Sequence, residues 1–130
     1  MERIKILLIE DNPGDARLIK EMLADDNTNL FDLEWKENLT DGLKRLGEGG
    51  IDVILQDLML PDSIGGYYTF KKVNAQSQGI PIIVMTSFED ESFASNTVLI
   101  GASDYLVKGK VDKNKLVSTI RNALENKQKD

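Results

Sequence analysis

Short apolar runs alternate along the chain with segments whose apolar positions recur at helical spacing, and the alternation repeats five times. The runs are Lys5 to Glu10, Leu33 to Lys36, Asp52 to Gln56, Ile82 to Met85 and Asp104 to Val107. Rich in β-branched residues or leucine, they read as strands of a parallel sheet buried on both faces. Ile19, Met22 and Leu23 mark the apolar stripe of a first helix, which opens at Asp11-Asn12-Pro13-Gly14 with the proline suited to a first turn. Thr40 stands where it would cap a short second helix carrying Leu43 and Leu46, with Gly47, Gly49 and Gly50 ending it. The third helix carries Tyr67, Phe70 and Val73, between a loop containing Leu60-Pro61-Asp62-Ser63 and Gly65-Gly66 and a polar turn over Gln76 to Gly79. Glu89-Asp90-Glu91 put acid at the start of the fourth, where it complements the positive helix end. Leu116, Val117, Ile120, Ala123 and Leu124 define the last helix, ahead of a charged tail expected to fray. Together these elements predict an α/β fold, a parallel sheet with helices on both faces.

Composition limits what such a fold is for. The 130 residues, 41% apolar, suffice for one compact domain over 1–130, and no repeat, low-complexity tract or linker suggests a second. A net charge of -6 argues against a general binder of phosphate backbones, so no direct nucleic-acid partner is expected. There is no cysteine and no histidine, which removes disulfides, thiolate chemistry, imidazole bases and imidazole metal ligands. Carboxylate chemistry is what remains. The first apolar run is too short for a secretory segment or a membrane span, so a cytoplasmic protein without membrane insertion is the expectation.

Three of the apolar runs give out at charged residues: Ile4 to Ile9 at Glu10-Asp11, Val53 to Leu55 at Asp57, and Tyr105 to Val107 at Lys108. In a parallel α/β sheet such positions converge on one crevice at the carboxyl edge. Like charges about 4 Å apart repel by roughly 1 to 4 kcal/mol between water and protein-surface dielectrics, so three acids gathered there call for a cation. Mg2+ suits the set, with Asp11 and Asp57 as direct ligands and Glu10 through water; Mn2+ would also serve. Asp57 could then attack a phosphoryl donor to give an acyl phosphate, with Lys108 neutralising one phosphoryl oxygen and the Thr86 hydroxyl donating to another. Taken singly, each residue has a plainer role. The acids could be helix caps or solvated turn residues, Lys108 a surface charge, Thr86 a turn former and Tyr105 a packed aromatic with its hydroxyl at the surface. Their joint placement at strand ends is what favours the shared site.

From Ile4 to Leu124 these residues resemble the receiver domain of two-component response regulators. Glu10-Asp11 looks like that family's acidic pair, Asp57 like its phosphoacceptor, Thr86 and Tyr105 like its switch hydroxyl and switch aromatic, and Lys108 like its invariant lysine. Leu60-Pro61 and Gly65 are similar to its loop after the phosphoacceptor. The resemblance implies a flavodoxin-like doubly wound (βα)5 fold with strand order 2-1-3-4-5, and a backbone carbonyl from Met59 on the magnesium. It also implies a phosphoryl donor that is a sensor histidine kinase or histidine phosphotransfer protein. The protein would be a phosphoacceptor switch rather than a turnover enzyme, without an output domain of its own, acting through a downstream protein or a homodimer. The runs Asp-Leu-Met-Leu-Pro-Asp and Tyr-Leu-Val-Lys-Gly are most similar to stand-alone receivers, chemotaxis-regulator-like ones and those paired with phytochrome-type kinases.

One departure concerns Gly109, which follows Lys108 where most receivers carry a proline with a cis bond; cis before glycine costs roughly 2.5 to 4 kcal/mol, so a trans bond and a more mobile loop are expected. Met59 and Phe88 are apolar at flanking positions where many receivers are polar, which predicts a shielded, longer-lived aspartyl phosphate. Two other readings fit less well. A haloacid-dehalogenase-like phosphatase needs an acid two residues after its nucleophile, where Met59 stands. A flavodoxin-type flavin binder wants a hydroxyl-rich and glycine-rich phosphate loop where this chain has Glu10, Asp11 and Asn12.

Overall fold

The computed structural model describes residues 3–25 and 30–129. Five strands, β1 (Ile4–Ile9), β2 (Phe31–Lys36), β3 (Val53–Asp57), β4 (Ile82–Thr86) and β5 (Asp104–Val107), form one sheet in the order β2-β1-β3-β4-β5. All four pairings are parallel. Five helices alternate with them: α1 (Pro13–Ala24), α2 (Leu39–Gly47), α3 (Gly66–Ser77), α4 (Glu91–Leu99) and α5 (Lys113–Lys129). This is the flavodoxin-like arrangement that the resemblance implies.

Because successive strand residues point to opposite faces, each strand feeds two cores. Ile6, Leu8, Val53, Leu55, Ile83 and Met85 pack with Ala16, Ile19 and Leu23 of α1 and Leu116, Ile120 and Ala123 of α5. Leu7, Ile9, Ile54, Ile82 and Val84 pack with Leu39 and Leu46 of α2, Phe70 and Val73 of α3 and Ala94 of α4. α2 rides close to β1, for a Cβ at Gly42 would lie 2.6 Å from Ile9 Cδ1. No described helix is long and apolar enough to cross a membrane.

Several boundaries differ from the sequence reading. β1 stops at Ile9, so Glu10 begins the loop, whereas Asp57 and Thr86 are the last residues of their strands, and β2 starts two residues earlier, at Phe31. α2 is capped by Asn38, not Thr40: Asn38 Oδ1 accepts the Asp41 N–H at 2.8 Å, and asparagine is the stronger cap. Thr40 is committed elsewhere, to Asp62, which accepts from Leu39 N, Thr40 N and Thr40 Oγ1 at 2.8 to 2.9 Å. Gly47 is helical and Glu48 forms the cap. α3 extends through Gln76 and Ser77 and ends where Gln78 turns left-handed. Phe88–Asp90 form a 3-10 turn before α4 starts at Glu91. α5 stays helical through Lys129, its last turns being free of glycine and proline.

Candidate functional site

The strand ends of β1, β3 and β5 bring Glu10, Asp57 and Lys108 to one point. Lys108 Nζ donates to Asp57 Oδ2 at 2.9 Å and to Asp15 Oδ2 at 3.0 Å, and pairs with Glu10 Oε1 at 2.6 Å. Glu10 has no exposed surface and Asp57 is buried. Burial drives the Glu10 carboxyl up; the Lys108 ammonium opposes that, the Asp57 charge adds to it, and the outcome is about 7. For Lys108, burial alone would lower the pKa, and the bonds to Glu10 and Asp57 outweigh it, leaving the ammonium more firmly protonated than usual. The backbone holds these groups in register. Lys108 N–H donates to Thr86 O at 2.8 Å, Asn12 N–H to Glu10 Oε2 at 3.1 Å, and the Trp35 indole N–H to Glu10 O at 2.7 Å.

Glu10, Asp11 and Asp57 each offer a carboxylate oxygen, and these atoms all lie within 4.8 Å of one another. Oxygen donors at that spacing, with Asp11 exposed and the other two buried, fit a hard divalent cation. Met59 N–H donates to Asp57 Oδ1 at 3.0 Å, which fixes the carboxylate plane, while the Met59 side chain is 59% exposed. Asp11, Met59 and Pro61 help line an open cavity of about 190 Å³ beside the acids.

Residues 6–121 match the family model described as the response regulator receiver domain. The chain belongs to that family. Receivers are the phosphoacceptor switches of two-component systems, not turnover enzymes. The transcriptional regulatory protein CiaR of Streptococcus pneumoniae is 35% identical over 107 residues, 81% of this chain and 45% of that protein. The response regulator ArlR of Staphylococcus aureus is 36% identical over 127 residues, 97% of this chain and 55% of that protein. The receiver thus spans about half the length of these curated relatives. A solved receiver domain protein from Clostridium thermocellum matches with a TM-score of 0.82 at 27% identity, covering 96% of this chain and 97% of that one.

The β4 side of the receiver's site is organised differently. Thr86 is buried and its Oγ1 has no hydrogen-bond partner among the described residues, and the same holds for both amide atoms of the fully buried Gln56. Gln56 pairs in register with Val84, two residues before Thr86, so the two orphaned side chains are diagonal neighbours on one sheet face. Tyr105, level with Val84 on β5, donates its hydroxyl to Glu91 Oε2 at 3.0 Å, a bond that raises the phenol's pKa. On its other flank α4 is tied to α3 by the Tyr67–Phe93 stack, centroids 4.0 Å apart, for which Gly66 leaves room. The Lys108–Gly109 bond is trans and Gly109 has φ 87°. The Phe88 side chain lies outside the described residues.

Sequence reasoning did not single out Asp15, Asp62 or Gln56. Asp15 had a signal, since it stands one helical turn after Asp11. Asp62 and Gln56 had none, because their significance depends on what packs around them.

Proposed function

We propose that this receiver takes a phosphoryl group on Asp57 from a histidine kinase or histidine phosphotransfer protein and thereby changes its interaction surface. The observation that carries this is the Asp57 carboxylate held at 2.9 Å from Lys108 Nζ while it shares a 4.8 Å cluster with Glu10 and Asp11. One Asp57 oxygen bonds to phosphorus as the phosphorus–nitrogen bond of a phosphohistidine breaks, the electron pair going to the imidazole, which takes a proton from solvent. Lys108 then faces a phosphoryl oxygen and neutralises part of its charge, and the unpartnered Thr86 hydroxyl donates to another. Asp11, Asp57, Glu10 through water and the Met59 carbonyl would hold Mg2+, or Mn2+. When bound, the cation screens the repulsion between carboxylate and phosphoryl group. The chemistry is confined to the protein's own phosphorylation and slow autodephosphorylation.

The phosphoryl group brings about −1.5 to −2 charge, which draws Thr86 and Lys108 towards it. Tyr105 leaves Glu91 for the space that Thr86 vacates, and the surface of α4, β5 and α5 is remodelled for a downstream partner or a second copy. A complete shift between two states requires about 5.5 kcal/mol of differential binding, so partner docking contributes alongside phosphorylation. The unit that performs this is the single (βα)5 body from Ile4 to Leu124. Incubation with acetyl phosphate and Mg2+ tests the reading: the intact mass should rise by one phosphoryl group in the parent and stay unchanged in Asp57→Asn. Equal gain in both, or none in either, would overturn it.

A further inference from the structure

Lys108 follows the last residue of β5, its backbone N–H held by Thr86 O at 2.8 Å, but its long side chain must still be aimed by what surrounds the ammonium. What fixes the ammonium is its three carboxylate neighbours, and these are not equivalent. Glu10 and Asp57 belong to the acid cluster that fits a cation; Asp15 does not. Once a divalent cation and a phosphoryl group are in place, the charge of Glu10 is shared with the cation and Asp57 has become an acyl phosphate. Asp15 is then the one anchor among the three whose charge remains committed to Lys108.

We propose that Asp15 is a positioning residue for phosphoryl transfer, holding the Lys108 ammonium from α1 so that one N–H stays aimed at the phosphoryl oxygen as it forms. The inference rests on the assignment of Asp57 as phosphoacceptor. Its geometry comes from the helix start: Asn12 caps α1, Pro13 takes the first position, and Asn12 Oδ1 accepts the Asp15 N–H at 3.0 Å, which places the Asp15 carboxylate on the side of Lys108. During transfer from acetyl phosphate an Asp57 oxygen–phosphorus bond forms and the donor's bridging oxygen–phosphorus bond breaks, acetate leaving with the electron pair. Asp15 takes no part in either bond. It acts only through the lysine. A plainer role, an acid in the first turn complementing the helix dipole, would affect stability and leave Lys108 unmoved.

Two measurements on the full chain separate these roles. Asp15→Asn should slow the maximal rate of phosphoryl uptake by about fivefold, the scale of a half-exposed ion pair, and leave the Mg2+ concentration for half-maximal rate unchanged. Asp15→Glu should recover part of the rate, and Asp15→Asn should cost nothing further in a Lys108→Ala background. An undiminished rate, an equal loss in that background, or a raised Mg2+ requirement would overturn the proposal. The second measurement needs no phosphoryl chemistry: Lys108 should react faster with an amine-acylating reagent, read by peptide mass, in Asp15→Asn than in the parent. Unchanged labelling would refute the anchoring. A parent that takes no phosphoryl group would instead sink the phosphoacceptor assignment, with the labelling result still deciding the role of Asp15.

Discussion

On the β1 and α1 side of Asp57 the charges close on one another, with Lys108 Nζ within 3.0 Å of oxygens from Glu10, Asp15 and Asp57. On the β4 side, Thr86 Oγ1 and the Gln56 amide are buried with no partner among the described residues. The first half resembles a preorganised electrostatic site, in which groups already stand where developing charge will need them. The second carries desolvated polar atoms at about 1 to 3 kcal/mol each, so a rearrangement that supplies a partner lowers the energy. On the proposed function, chemistry and switching therefore have different physical foundations a few residues apart: in one half buried charges are paired with opposite charge, in the other buried neutral polar groups lack partners among the described residues.

Breaking the Lys108 pairs and removing the Thr86 hydroxyl should act on stability with opposite sign. The largest effect is expected from Lys108→Ala, which leaves Glu10 buried without its counter-charge and should cost about 3 kcal/mol in urea unfolding without divalent cations. Phosphoryl uptake should also slow by about a hundredfold, the scale for loss of one transition-state donor. Unchanged stability would mean that the paired half is not closed as described.

Glu10 makes the same comparison through pH. Its folded pKa of about 7 lies above the ordinary 4.5, so the folded state holds the proton more tightly. The stability this contributes is fully present below about pH 4.5 and is lost as pH rises through about 7. In chelator, the parent should therefore lose stability relative to Glu10→Gln between about pH 5 and about pH 8, and Mg2+ should relieve the loss. A difference independent of pH would contradict the cost assigned to ionising Glu10.

The smallest effect, opposite in sign to that of Lys108→Ala, is expected from Thr86→Val. Replacing an unpartnered buried hydroxyl by a methyl should stabilise the unphosphorylated protein by about 1 kcal/mol. The same change should abolish the phosphoryl-dependent difference in hydrogen exchange across α4 and β5. A loss of stability would show that the hydroxyl is satisfied at rest, and the contrast between the halves would fail.

How much of this was legible in the chain follows from the same contrast. Strands buried on both faces read as uninterrupted apolar runs, so Glu10, Asp57, Thr86 and Lys108 announced themselves as the charged or hydroxyl residues where those runs end. Contacts set by distant packing did not. Thr40 looked like a cap because nothing local shows that Asp62, 22 positions away, takes its N–H and its hydroxyl. Gln56 passed as the polar end of a strand, when the strand continues to Asp57 and leaves the amide fully enclosed. Asp15 was visible only as an acid in a helical first turn, since its partner lies 93 residues further along.

The central claim is that Asp57 carries the phosphoryl group, and chemical trapping tests it most directly. After exposure to acetyl phosphate and Mg2+, borohydride reduces an aspartyl phosphate to homoserine, which peptide mass spectrometry can locate. The account predicts homoserine at position 57 and nowhere else; homoserine at position 10, 11 or 15, or none at all in protein that has gained a phosphoryl group, would contradict it.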